Sequence, residues 1–288
     1  MASIRDLRLK IKSIKNIQQI TKAMKMVASA RLKRVQDRLE AARPYARKMA
    51  EVTLDLAART PDITNPLLLP HEKNEKVLIL VFTGDRGLAG GFHQKIADGA
   101  VQFGQKFKEK AEVSYYAVGS KGVHRLNMRH ANLIKKFTEP VGGVAFSVAQ
   151  KLAAELVEYY LSGEYDQVYL YYAKFHSAMT QRPKAFQLLP IDPSKARQKE
   201  GRGLFIYEPD QRQVLDGLLS RYIESEIFRA FLETETGELG ARMTAMSSAT
   251  DNAAELIERY GLEFNKIRQS QITKEIAEIV GGAGALEG

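Results

Sequence analysis

The chain has 288 residues, 44% of them hydrophobic and 27% charged, a balance typical of a soluble protein with one sizeable core or two smaller ones. It has no cysteine, which excludes disulfides, thiol catalysis and zinc–thiolate sites, and no run of about 18 apolar residues that would span a membrane. The formal net charge of +9 is unevenly placed: residues 1–50 hold 14 Lys/Arg against 3 Asp/Glu, so the remainder is near neutral. That segment reads as a solvated helix face, a surface for nucleic acid or anionic lipid, or a face turned toward an acidic protein partner. Met1 leads straight into helical periodicity, with neither an apolar signal core nor an Arg/Ser-rich leader, which fits a cytoplasmic product.

A 3-4 spacing starts at Ile4 and holds its frame through Leu7, Ile11, Ile14, Gln18, Thr21, Lys25, Ala28, Leu32, Val35 and Leu39 as far as Leu56. Such a frame predicts one half of a coiled coil. Its middle is polar at Gln18, Thr21 and Lys25, where Ile17, Ile20, Met24 and Val27 lie one position away. The apolar stripe is therefore expected to rotate around the helix there, either because the partner winds differently or because a second surface packs on it. About 55 residues at ~1.5 Å each give ~80 Å, longer than a domain core, so the helix is expected to protrude as a rod. Pro44 predicts a kink near Ala42–Arg43.

Thr60-Pro-Asp-Ile-Thr-Asn-Pro66 reads as a loop. Val77 to Thr83 is a continuous apolar run, as expected of a buried parallel strand. Gly84-Asp-Arg-Gly-Leu-Ala-Gly-Gly91 follows it, and then a helical stretch to Lys110. Strand, glycine loop and helix is the setting of phosphate-binding loops. This loop lacks both the Gly-Lys-Ser/Thr ending and the GxGxxG spacing, so its glycines are read as permitting a tight turn. A second strand spans Val113–Val118, a helix ends near His130, and Leu133–Ile134 is a short edge strand. A helix covers Val144–Ser162, a third clear strand Gln167–Ala173, and a fourth Lys184–Pro190. The alternation predicts a small, mainly parallel α/β domain. Ile191 to Gly203 reads as a connector.

A last helix starts near Glu208-Pro-Asp210, with Gly237 and Gly240 softening its middle. It repeats the 3-4 frame at Met243, Met246, Thr250, Ala253, Ile257, Tyr260, Phe264 and Ile267 and ends in Gly281-Gly-Ala-Gly284. The predicted fold is thus α/β plus a long antiparallel coiled coil. Residues 1–59 and 208–288 pair as terminal helices, and a Rossmann-like domain over 76–191 is inserted between them.

No catalytic set stands out. The histidines His71, His93, His124, His130 and His176 are scattered, and Asp251, Glu255, Glu258 and Glu263 recur at helical spacing, the pattern of a solvated face. Ser120-Lys121 resembles no nucleophile elbow. A mechanical or binding role follows, with no cofactor and no metal. A basic coiled-coil protein that binds nucleic acid is the alternative, although the first 40 residues carry no base-reading motif.

Four segments carry a family resemblance: Ile20-Thr-Lys-Ala-Met-Lys-Met-Val-Ala28, Asp85-Arg-Gly-Leu-Ala-Gly-Gly91, Ala249-Thr-Asp-Asn252, and Arg268-Gln-Ser-Gln-Ile-Thr-Lys-Glu-Ile-Ala-Glu-Ile-Val-Gly-Gly-Ala283. Together they resemble the γ subunits of F-type ATP synthases over the whole chain. The one departure is His93, where that family usually has Asn. The resemblance implies a left-handed coiled-coil shaft inside a hexamer of α and β subunits, with the α/β domain against the ε subunit and the membrane ring of c subunits. It implies that rotation of the ring drives the nucleotide sites of the hexamer, so that this chain has no catalytic site of its own and touches the membrane only through the complex. The expected location is peripheral, on the cytoplasmic side of the bacterial plasma membrane.

Residue by residue, the resemblance puts Met24, Lys25, Arg268, Gln269, Thr273 and Glu275 at coupling contacts with β subunits. It puts Ile276, Ile279 and Val280 in an apolar bearing, and Tyr207 and Glu208 near the c ring and ε. The plainer readings are seam packing for Met24, a solvated charge for Arg268, a continued coiled coil for Ile276 and Ile279, and a helix start for Tyr207 and Glu208.

Overall fold

The computed structural model describes residues 3–60, 65–137, 145–195, 208 and 210–286. Its elements are helix α1 (Ile4–Arg59), strand β1 (Lys76–Phe82), α2 (Phe92–Gly104), β2 (Glu112–Val118), α3 (Ser120–Met128), β3 (Leu133–Phe137), α4 (Phe146–Leu161), β4 (Gln167–Phe175), β5 (Gln181–Leu189) and α5 (Gln211–Leu286). Two compact units result, one from residues 1–28 with 243–288, the other from residues 29–242.

In the second unit the sheet order is β3-β2-β1-β4-β5. β1 sits between β2 and β4, parallel to both. This explains why Val77-Leu-Ile-Leu-Val-Phe82 is apolar without alternation: every one of its side chains is buried on one face or the other. β3 is also parallel and forms one edge, with Lys135 and Lys136 discouraging further pairing. β5 is antiparallel to β4. The link between these strands, residues 176–180, is too short for a crossover helix, so a hairpin is the only connection that reaches.

Each sheet face has its own core. On one, Phe92, Ile96 and Ala100 of α2 and Leu126 of α3 cover Val77, Ile79, Val81, Tyr115 and Ala117. On the other, α4 and the inner parts of α1 and α5 cover Leu78, Leu80, Phe82, Leu170 and Tyr172, with Phe231 edge-on to Phe82 at 4.9 Å between ring centroids. Residues 230–240 of α5 are buried on every side of the helix.

Several expectations change here. Gly237 and Gly240 do not soften α5, which is unbroken from Gln211 to Leu286. They are points of close approach instead: a Cβ on Gly240 would stand 3.0 Å from the Ala178 backbone, and one on Gly237 3.0 Å from the Phe92 ring. Gly281, Gly282 and Gly284 do not end the helix either. A glycine lowers helix propensity by about 1 kcal/mol but keeps its N–H and C=O, so α5 continues through them. α1 keeps Pro44 inside its span, as the unbroken 3-4 frame expects. Ile191, expected in a loose connector, is buried and donates its N–H to the Leu67 carbonyl.

Candidate functional site

The first unit is a helix pair. On α1 the framed positions from Ile4 to Thr21, and then Ala28, are buried or half-buried, and on α5 so are all eight framed positions from Met243 to Ile267. The polar middle does not rotate the seam. Thr21 is buried with its hydroxyl 2.8 Å from that of Thr250, so its polar group is paired inside the frame, and Gln18 is half-buried there. Lys25 alone leaves the frame. It stays exposed and donates to Ser247 Oγ at 2.9 Å, while Met24 beside it is half-buried. Ile17, Ile20 and Val27 consequently remain on the surface, each about half exposed.

The pairs Lys25–Ser247, Thr21–Thr250, Lys10–Tyr260 and Arg8–Phe264 fix an antiparallel register that brings the start of α1 level with Ile267 and Arg268. Residues 268–280 of α5 are all exposed. Thr273 donates to the Gln269 carbonyl at 2.9 Å, and Gln271 donates to the Glu275 carboxylate at 3.1 Å. Ile272, Ile276, Ile279 and Val280 follow i, i+4, i+7, i+8 spacing and form one exposed apolar stripe. An open groove where α1 begins is lined by Ile4, Arg5 and Arg8 across from Arg268, Ile272 and Glu275.

The basic charge that α1 brings to this unit is largely unspent. Arg5, Arg8, Lys10, Lys12, Lys15, Lys22 and Lys25 of α1 enter no ion pair among the described residues. Arg8 and Lys10 instead lie 5.8 Å over the rings of Phe264 and Tyr260. The helix pair therefore satisfies its own seam and presents cations and apolar side chains outward.

The structure brings Arg268, Gln269, Thr273, Glu275, Ile276, Ile279 and Val280 together on one exposed length of α5. Met24 and Lys25 stand elsewhere, level with Ser247. Glu208 is exposed at a bend before α5, and Tyr207 lies outside the described residues.

The glycine loop is occupied by the protein itself. His93 Nδ1 accepts from the Gly84 N–H at 3.3 Å, and His93 Nε2 donates to the Arg86 carbonyl at 3.0 Å, a neutral tautomer bridging the loop. Burial pushes the His93 imidazole down to about 4, and the Arg242 and Lys121 cations act in the same direction. Arg242 of α5 donates to the Arg86 and Gly87 carbonyls and pairs with Glu238. Burial raises the Glu238 carboxyl above its usual range. Periodicity alone misses Arg43, Glu233, Glu238 and Arg242. The only sequence signal for them is acids set among small residues in Glu233-Thr-Glu-Thr-Gly-Glu238.

Fold and surface together define a protein with a long antiparallel helix pair, basic and partly apolar on its outer face, and an α/β unit inserted in the chain between the two helices. Residues 3–286 match the protein family described as ATP synthase. The ATP synthase gamma chain of Geobacter metallireducens is 43% identical over the full length of both chains, and that of Desulforamulus reducens is 44% identical over the same extent. Among solved structures, the chain resembles a protein of the Tetrahymena thermophila mitochondrial ATP synthase central stalk and c ring, at 25% identity and a TM-score of 0.58, covering 80% of this chain and 99% of that one. It shares its fold with a chain of the Euglena gracilis mitochondrial ATP synthase (19% identity, TM-score 0.66), covering 98% of this chain and 94% of the other. This chain belongs to the ATP synthase gamma chain family. No helix among the described residues is long and apolar enough to cross a membrane.

Proposed function

We propose that this chain works as the central shaft of an F-type ATP synthase, passing rotation of a c ring to the nucleotide sites of a hexamer of α and β subunits. One observation carries the reading: the helix pair completes its own seam yet leaves seven cations and an exposed apolar stripe turned outward. A shaft needs stiffness along its axis and contacts that form and break at each step. Exposed charges supply the second, because single exposed ion pairs are worth ~0–1 kcal/mol and are screened by salt.

In this reading residues 1–59 and 208–288 form the shaft, and the α/β domain at 76–191 faces the ε subunit and the c ring. Met24, Lys25, Arg268, Gln269, Thr273 and Glu275 make the coupling contacts with the β subunits, Lys25 and Arg268 toward acidic loops. Ile276, Ile279 and Val280 turn in an apolar bearing, and Tyr207 and Glu208 lie near the ring. The chain performs no covalent step and needs no cofactor, and it meets the membrane only through its complex, on the cytoplasmic face of the bacterial plasma membrane. The exposed cations that motivate the nucleic-acid alternative are shared with the shaft reading, and none of the matching relatives is described as binding nucleic acid.

The test is a hexamer of α and β subunits reconstituted with this chain, with a bead attached to the α/β unit. Stepwise one-way rotation during ATP hydrolysis is the expected result. Binding without rotation reduces the role to a scaffold, and absence of binding removes it.

A further inference from the structure

In an open α/β sheet, ligands bind beyond the carboxyl ends of the strands, where the strand order reverses. Here that point lies between β1 and β4, because β1 leads by α2 to one side of the sheet and β4 lies on the other. The crevice is filled by α5. At the end of β4, the Glu233 carboxylate accepts the Phe175 N–H at 2.6 Å and the Arg43 guanidinium at 3.1 Å, and Arg43 also donates to the Phe175 carbonyl at 3.0 Å. At the end of β1, Glu238 sits so close that any Cβ on Gly84 would fall on its carboxylate. Arg242, paired with Glu238, donates to the Arg86 and Gly87 carbonyls at 3.2 Å. The side chains of Glu233, Glu238 and Arg242 are 5%, 8% and 11% exposed, so the carboxylates and Arg242 are desolvated, while Arg43, at 38%, closes the clasp from the rim.

Apolar packing holds a helix against a sheet but tolerates small rotations and slips. Charged side chains of the helix bonded to main-chain atoms beside two neighbouring strands do not, because either motion would break buried charge-assisted bonds, from the Phe175 N–H to Glu233 and from Arg242 to the Arg86 and Gly87 carbonyls. The glycines at 237 and 240 let the backbones approach closely enough for these bonds.

We infer that α5 is the resident occupant of this sheet's ligand crevice, and that the Glu238–Arg242 and Glu233–Arg43 clasps are positioning residues that make the α/β unit torsionally rigid on α5. The inference rests on the shaft reading, since only a rotor needs such stiffness.

The chain has no cysteine of its own, so a single Lys108→Cys in the exposed turn after α2 gives a bead attachment point on the α/β unit. The angular spread of the bead is recorded in assembled hexamer complexes paused between steps, for the parent, for Glu238→Gln with Arg242→Met, and for Arg242→Lys. The double variant removes both charges, so no ion is stranded. Its angular variance is expected to rise on the order of two-fold, as a restraint is lost from otherwise rigid packing. Arg242→Lys keeps the charge but loses the fork that spans two carbonyls, and should fall between the other two. A merely structural role would lower the yield of assembled complex and leave the spread of the survivors unchanged. Equal spread in parent and double variant overturns the inference. Should the double variant not assemble, equal spread in Arg242→Lys overturns it instead. A parent that never rotates sinks the shaft reading, a separate outcome.

Discussion

Acidification should loosen the turn between β1 and α2 through one side chain. His93 holds that turn as a neutral imidazole, accepting from Gly84 and donating to Arg86. A proton on Nδ1 would face the Gly84 N–H and break the bond. Burial lowers the folded-state value to about 4 from 6.5. With the folded value depressed, the unfolded chain takes up the proton first. The stability held by neutral His93 is therefore complete above pH 6.5 and is lost as pH falls toward 4. The full gap corresponds to about 3 kcal/mol. The perturbation is His93→Asn, whose amide can still donate and accept but does not titrate. Urea unfolding of parent and variant at pH 7.5, 6 and 5 should show the parent losing about 2 kcal/mol more than the variant over that range. Glu238, present in both, cancels in the comparison. Parallel losses in the two proteins, or a His93 ring titrating near 6.5 by NMR, would refute the reasoning.

Four further outcomes are expected. Gly240→Val should destabilise by about 1–3 kcal/mol, because the backbone of Ala178 cannot withdraw from the added atoms. Gly261→Ala, with open space around its Cβ, should stabilise by about 0.5–1 kcal/mol; thermal melts of the two variants should move in opposite directions. The hydrogen bonds from Arg125 and Arg129 hold the Asp98 carboxyl well below the usual carboxylate range, so its contribution is present above pH 4 and fades below it. Asp98→Asn should therefore lower stability at pH 7 by about 1 kcal/mol, a figure kept small because the cluster is partly exposed, and by less at pH 3. Replacing Lys22, Lys25 and Arg268 together by Ala should spare ATP hydrolysis more than ATP-driven proton pumping, read as the ratio of the two rates in vesicles. Equal loss of both, or of neither, would count against the coupling surface.

What the sequence discloses depends on whether a residue's role is periodic. The seam was legible because a 3-4 spacing has one geometric meaning, and β1 because only a doubly covered strand tolerates Val77-Leu-Ile-Leu-Val-Phe82. The polar middle was misread because Thr21 resembles a gap in the seam until Thr250 is seen opposite, 229 positions away. Gly237 and Gly240 were read by propensity, a local quantity, when distant backbone decides their role. The Glu233 and Glu238 clasps are invisible for the same reason: Glu233 is recognised by partners from α1 and β4, and the Glu238–Arg242 pair by the glycine-loop carbonyls that Arg242 reaches. Of the surface residues, the sequence indicated identity and spacing. The exposure of residues 268–280 follows only from where α1 begins in the antiparallel register.

That register has a consequence for synthesis. The partners in the helix pair lie at opposite ends of the chain, with Lys25 meeting Ser247 across 222 positions. During translation α1 leaves the ribosome well before its partner, and its seam has nothing to close on until residues some 222 positions further on have followed. At roughly 5–20 residues per second this leaves an unmatched apolar stripe open for on the order of tens of seconds. Residues 230–240 of α5, buried on every side, arrive almost as late, so the sheet unit also waits for its central helix. The helix pair thus closes late, and loss of the α5 residues that carry Ser247, Thr250, Tyr260 and Phe264 would open the seam of α1 as surely as that of α5.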